Sequence, residues 1–393
     1  MLRRCTGIAP ADFAATYWGR APLLSRVVGR TFDDLLTLDA ADELLSQRGV
    51  RTPFIRIAKD GDVVEPRRYT RSGGAGALVA DQVGDDRVLD LFADGHTVVL
   101  QGLHRLWPAL VALAGDLAGE LGHPVQVNAY ISPPASRGFA AHYDVHDVFV
   151  LQVAGRKRWL VHEPVLADPL PSQPWQQRRA DVGARAAEPP LLDEVLEPGD
   201  VLYLPRGYLH AADALGEVSM HLTVGVHPVT GYDVAEAALA LAADDRELRR
   251  SLPVGGVGQH ADAVTAALRA AVDRLEVTPA PALAHAVRVR AARGTRPAPI
   301  GPIATAAAVA ALDATTAVVL RRNLRAAVGG SLTDVELVLP DRTVRLPART
   351  RAAVACVLDG GVVRASDLPG LTEDESVDVV RRLLREGVVV PAR

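Results

Sequence analysis

The order of patterns along the chain predicts an α+β protein, with a jelly roll (a double-stranded β-helix) in front and helical segments behind. Three observations carry this. Between Val125 and Val226 short apolar strands are separated by turns rich in Gly and Pro. Beyond Pro228 the chain becomes Ala- and Leu-rich, with clustered charges. From residue 305 helices flank a small hairpin, the pattern of a winged-helix-like module. The resulting divisions are 1–229, 230–304 and 305–393. At 393 residues each part can bury its own core.

Taken in order, residues 10–19 pattern as an amphipathic helix through Phe13, Tyr17 and Trp18, and 33–47 as another through Leu35, Leu36, Leu38, Leu44 and Leu45. Residues 71–76 are Gly-rich and read as a loop, since no strand–helix context for phosphate surrounds them. A helix over 107–121 follows, with Leu110, Leu113, Leu117 and Leu121 on one stripe. Residues 125–130 alternate as a strand, Pro133-Pro134 breaks it, and 138–144 reads as a strand again. A hairpin spans 148–161 around Gly155, and the polar, Pro-rich stretch 164–190 is a loop or insertion. The turn Pro198-Gly199-Asp200 opens a strand that ends on His210. A last strand, 218–226, sets Ser219, His221, Thr223 and Gly225 on one face. Helices are expected over 233–252, 261–275, 306–327 and 349–358, with a linker over 293–302 and strands at 335–339, 343–346 and 388–390. Thr372 and Glu375 form a capping box for a final helix, whose end is marked by Arg381, Arg382, Arg385 and Gly387.

The bulk properties exclude several classes. A net charge of −4 gives no general basic footprint for nucleic acid or anionic membrane. Cys5 and Cys356 are too few for a disulfide framework or a thiolate zinc site, which favours a reducing, cytoplasmic setting. The N-terminus shows no apolar signal region, and the mostly Ala stretch 303–320 carries Asp313 and reads as a soluble helix, so no membrane partner is expected.

The chemistry concentrates in His142-Tyr143-Asp144. Side chains two apart on a strand share a face, so the imidazole and the carboxylate can converge. With His210 they make the two-histidine, one-carboxylate set of non-haem Fe(II) oxygenases. Lys157, returning on the second hairpin strand, is a candidate for the cavity beside them. A buried lysine needs an anion, and the distal carboxylate of 2-oxoglutarate is one. Three protein ligands on an octahedral ion leave two positions for 2-oxoglutarate and one for dioxygen. Alternatives stand beside each assignment. His146 can replace His142 as the partner of Asp144, His221 can be a ligand or a core histidine, and Lys157 can be an exposed turn residue. The other seven histidines, His260 among them, lack partner spacing and read as structural or surface residues. Tyr130, Arg206 and Asp147 are candidates for the mouth.

Asn128 to Trp159, with Pro133-Pro134, Gly138 to Asp144, Phe149 to Gln152 and Gly155 to Trp159, resembles the JmjC-type ribosomal oxygenases, which have a cupin fold. Leu204 to His210, Ser219 to Thr223 and Tyr17 to Leu24 extend the resemblance. It implies a 2-oxoglutarate- and Fe(II)-dependent dioxygenase, an enzyme that hydroxylates a histidine or arginine of a ribosomal protein. His142, Asp144 and His210 would be the iron ligands and Lys157 the cosubstrate anchor, with Asn128, Tyr130 and Thr223 as further contacts. It also implies that 230–304 is a helical dimerisation region, giving a homodimer, and that the C-terminal module is a winged helix. Gly225 departs from the family, where a small hydroxyl residue is expected; its loss would alter affinity or leave room for water. Two rival readings are an oxygenase acting on a peptide natural product or small molecule, and a non-catalytic cupin-type binding or regulatory protein. Direct DNA binding is disfavoured: from residue 306 twelve arginines face eleven acids, with no lysine.

Overall fold

A computed structural model describes residues 1–76, 78–134, 136, 140–254 and 261–392, with only the backbone of Arg293. Gly138, Phe139 and His260, singled out above, lie outside the described residues. Contacts divide the chain into two units, 1–228 and 229–393.

The first unit is built on two antiparallel sheets. Its strands are β1 (Leu23–Ser25), β2 (Ile55–Lys59), β3 (Asp62–Val63), β4 (Thr70–Arg71), β5 (Gln82–Val83), β6 (Thr97–Leu100), β7 (Val125–Ser132), β8 (Asp147–Ala154), β9 (Lys157–His162), β10 (Leu192–Leu196), β11 (Val201–Leu204), β12 (Leu209–Ala214) and β13 (Ser219–Val226). The large sheet runs β1-β11-β8-β13-β7-β6-β2-β3, and the small one β10-β9-β12. Alternation assigns the faces. Val125, Val127, Ala129 and Ile131 of β7, with Met220, Leu222, Val224 and Val226 of β13, are buried in the main core. There they join Leu110, Leu113 and Leu117 of the helix Pro108–Leu121, whose stripe is the expected one. The opposite faces, Tyr130 and Ser132 on β7 with His221 and Thr223 on β13, look into a cavity. Val148, Val150, Trp159, Val161, Leu196, Leu202 and Leu204 form a second apolar cluster, drawn from both sheets.

Two expectations near the site are corrected. Among the described residues of 138–144, which are 140–144, no ladder strand forms: His142 makes one bridge, to His210. In the large sheet β7 ends at Ser132 and β8 begins at Asp147. Nor does His210 end a strand. Leu204 ends β11, Pro205 removes a donor, Gly207 turns the backbone at φ 93°, and His210 is the second residue of β12. The 164–190 stretch is more than a loop, since it contains the helix Arg179–Ala186.

In the second unit, helices Gly231–Ala242, Ala261–Glu276, Ala280–Arg293 and Pro302–Ala310 precede strands Ala317–Leu320, Ala327–Gly329, Asp334–Val338 and Thr343–Pro347. Helix Arg351–Leu358, strand Val363–Arg364, helix Glu373–Arg385 and strand Val389–Pro391 follow, and the capping box of Thr372 and Glu375 is present. The helix expected over 306–327 stops early. Asp313 Oδ1 accepts from the Thr315 backbone and from the Thr315 and Thr316 hydroxyls, a turn that competes with helix. The helix expected over 233–252 likewise ends at Ala242, and the following turn is tied by Asp245 accepting the Glu247 N–H. Helix Ala280–Arg293 had no counterpart in the sequence reading. Helix Ala261–Glu276 buries none of its residues and exposes Val264, Leu268 and Val272. Among the described residues no helix is long and apolar enough to cross a membrane.

Candidate functional site

His142, Asp144 and His210 present ligand atoms that all lie within 4.8 Å of one another. His142 and His210 exchange both backbone hydrogen bonds, 3.2 and 2.8 Å, so the frame under the two rings is set by main chain. The Asp144 carbonyl accepts from Gly207, 3.0 Å away, which fastens the carboxylate-bearing residue to the same turn. Each imidazole donates Nδ1–H to a carbonyl two residues upstream: His142 to Ala140 at 2.7 Å, His210 to Tyr208 at 3.2 Å. A carbonyl only accepts, so Nδ1 carries the proton and Nε2 keeps a lone pair for a metal. Burial, with His142 alongside, pushes His210 down to about 4, leaving it neutral at ordinary pH. Burial acts to raise the Asp144 pKa, but the neighbouring His146, His210 and His142 rings and the Arg56 guanidinium outweigh it, so the carboxyl lies below its ordinary value. Two imidazoles presenting Nε2 and a carboxylate, with His210 Nε2 3.8 Å from Asp144 Oδ2, suit a divalent transition metal.

The same cavity, about 540 Å³ including its open mouth, holds Lys157. Lys157 is 3% exposed. It donates to Ser132 Oγ at 3.0 Å and to His221 Nδ1 at 3.1 Å. Burial alone lowers it to about 7. His221 is stacked on Tyr130 at 5.0 Å and meets the edge of Trp159, so it belongs to the lysine corner and stands apart from the metal-ligand trio. Burial also pushes the Tyr130 phenol up to about 12.

The remaining candidates separate. Tyr130 and Thr223 line the cavity, whereas Asn128, although on the Tyr130 face, gives its amide oxygen to the Gly102 N–H at 3.0 Å and is not in the lining. His146 turns to Gln126 at 3.1 Å, outside the trio. Asp147 is fully buried and accepts the Arg206 N–H at 2.8 Å, while Arg206 pairs with Asp168, so these two brace the turn into β12 and do not form the mouth. Gly225 leaves no room for water: a Cβ there would lie 3.0 Å from Gln126 Nε2 and 3.2 Å from His146 Cε1. Sequence reasoning missed Thr97 and Ser132 in the lining, and the packing of the 164–190 insertion against the ligand-bearing segments. Trp175 stands 6.2 Å from the His142 ring, and Tyr143, Val182 and Leu209 pin the insertion to the ligand-bearing segments.

Residues 115–234 match the model of the JmjC domain. The chain is 32% identical over 284 residues to ribosomal oxygenase 1 of Gallus gallus, a match covering 68% of this chain and 45% of that protein. It is 31% identical over 263 residues to the bifunctional lysine-specific demethylase and histidyl-hydroxylase NO66 of Aedes aegypti, covering 62% and 38%. The matched part thus spans less than half the length of these relatives. The crystal structure of the Escherichia coli ribosomal oxygenase YcfD aligns over 98% of both chains with a TM-score of 0.54 and 18% identity. A structure of YcfD with cobalt and succinic acid aligns with a TM-score of 0.55 and 18% identity over 97% of this chain and 98% of that one. At such identity the likeness concerns the fold, and it supports the JmjC cupin-type architecture.

Proposed function

We propose, from the match to the JmjC domain and the likeness to ribosomal oxygenases, that the chain is a JmjC-type ribosomal oxygenase: an Fe(II)- and 2-oxoglutarate-dependent dioxygenase hydroxylating a histidine or arginine of a ribosomal protein. The observation that supports this most is one cavity holding three metal donors and a buried lysine with no carboxylate in contact. His142, Asp144 and His210 would hold the metal. Lys157 would receive the distal carboxylate of 2-oxoglutarate, with Tyr130 and Thr223 as walls. When bound, iron with 2-oxoglutarate supplies oxygen insertion: dioxygen, 2-oxoglutarate and a C–H bond become succinate, carbon dioxide and an alcohol. The chain's part is to keep Nε2 of both histidines unprotonated, to keep Asp144 ionised, and to exclude water with Val148, Val150 and Trp159. The relatives, a ribosomal oxygenase and a histidyl-hydroxylase by name, support a side-chain substrate.

The test is succinate release on incubation with Fe(II), 2-oxoglutarate and ribosomal proteins, against His142→Ala and Asp144→Ala. Mass spectrometry of ribosomal proteins from cells lacking the chain then locates the target. No histidine or arginine differing by one oxygen atom would end the ribosomal reading. The exposed stripe Val264, Leu268 and Val272 supports a second copy of the chain as partner, through a helical dimerisation region. We assign the segment from 305 to a winged-helix-like module for protein contact, given its near-neutral charge, and place the protein in the cytoplasm.

A further inference from the structure

Resting on that reading, we propose that Thr97, Ser136 and His221 are positioning residues for the dicarboxylate cosubstrate, acting through Lys157. A chain of hydroxyls leads away from the ammonium group. Lys157 Nζ donates to Ser132 Oγ at 3.0 Å, Ser132 Oγ lies 2.9 Å from Thr97 Oγ1, and Thr97 Oγ1 lies 3.3 Å from Ser136 Oγ. Ser136 ends the chain on the Gly95 carbonyl at 3.1 Å. Each hydroxyl has one proton, and a carbonyl can only accept. Ser136 therefore spends its proton on Gly95 and accepts from Thr97. Thr97 in turn accepts from Ser132, and Ser132 is left with lone pairs alone for Lys157. The direction of every bond is forced by the last acceptor.

On the other side burial and the neighbouring Lys157 and His210 keep the His221 ring neutral, and with its proton on Nε2 the Nδ1, 3.1 Å away, accepts as well. Two N–H directions of Lys157 are thus fixed on protein acceptors. An ammonium has a third N–H, and the cavity is where it is free to point. A neutral amine has only two, both already committed, and would turn a lone pair toward the ligand. Only the protonated lysine can therefore hold a carboxylate without giving up a protein partner. Among the described residues that line the cavity, the titratable groups around it are His221 on β13 and Tyr130 on β7, with Asp144, His142 and His210 across the cavity. None of these is a carboxylate in contact with it, and burial alone sets its pKa. Dicarboxylate binding must accordingly draw in a proton when the free lysine is neutral.

The experiment uses the composition of the chain. Lys59 and Lys157 are its only lysines, so protein labelled with 15N at the lysine Nζ gives two resonances. In the wild type the Lys157 resonance titrates near 7. Addition of 2-oxoglutarate to the zinc-loaded protein moves the Lys157 titration upward. In Thr97→Val the Ser132 proton loses its acceptor and turns to the lysine nitrogen, favouring the neutral amine. That titration falls by about one unit and the calorimetric Kd for 2-oxoglutarate rises about tenfold. Ser136→Ala acts in the same direction more weakly, and Thr97→Ser restores both values. His221→Phe removes the second acceptor and lowers the titration again. A Thr97→Val protein whose Lys157 titrates as in the wild type, while the wild type still responds to 2-oxoglutarate, overturns the positioning role alone. A wild-type Lys157 resonance indifferent to 2-oxoglutarate overturns the cosubstrate reading and the inference with it.

Discussion

The two ends of the cavity are built by different means. The metal-ligand end rests on a segment with one β-bridge among its described residues, Asp144 is partly exposed, and an insertion packs behind it. The lysine end lies within regular ladders, with Ser132, Thr97, Lys157 and His221 all buried. An irregular, half-open end can exchange substrate and product, whereas a dry end can hold one anion in one orientation. Regular structure fixes what must not move, and local turns carry what must be reached.

The contrast can be broken or sharpened by substitution, and the largest effect is expected at the open end. His142→Ala or Asp144→Ala should lower succinate release by more than about 100-fold, with the melting temperature nearly unchanged because the main core is untouched. A large loss of thermal stability would instead make the trio part of the scaffold. At the dry end, Lys157→Met should weaken 2-oxoglutarate binding by about 100-fold in calorimetry. The same variant should be the more stable protein at low pH. Folding lowers the Lys157 pKa from 10.5 to about 7. The folded state therefore binds fewer protons than the unfolded state between those values, and the cost of burying the charge is complete below about pH 7 and fades as pH rises toward 10.5. Thermal melts near the two limits should show the gain of Lys157→Met shrinking with pH. In the wild type, the Kd for 2-oxoglutarate should rise roughly tenfold per pH unit above about 7; a flat profile would mean that a neutral lysine suffices. The smallest effect is expected for Gly225→Ser, on the inner face but beyond both ends. Its Cβ crowds Gln126 and His146, so stability should fall by about 1 kcal/mol, read by chemical denaturation, with cosubstrate affinity unchanged.

Much of this was legible in the sequence, for physical reasons. Strands β7, β8, β9 and β13 alternate or run apolar between turn residues, and His142-x-Asp144 with His210 is a donor set of limited chemical meaning. The hydroxyl chain was not legible, because residues 97, 132, 136 and 157 share no spacing and meet only once four segments are folded together. Helix ends failed where a side chain competed with the backbone: Ala-rich sequence argued for helix through 327, and Asp313 ended it. Asn128 shows the limit of face arguments. It lies on the right side of β7, yet the Gly102 N–H claims its amide. Gly225 looked like a vacancy, and its missing side chain turned out to be the space that Gln126 and His146 fill.

The reciprocal backbone bonds between His142 and His210 have an evolutionary consequence. Because main chain sets the separation of the two ligand positions, exchanging either imidazole for a carboxylate or a thiolate changes donor softness and leaves the frame standing. On the proposed reading, metal preference can therefore change by substitution at one of these two positions without refolding.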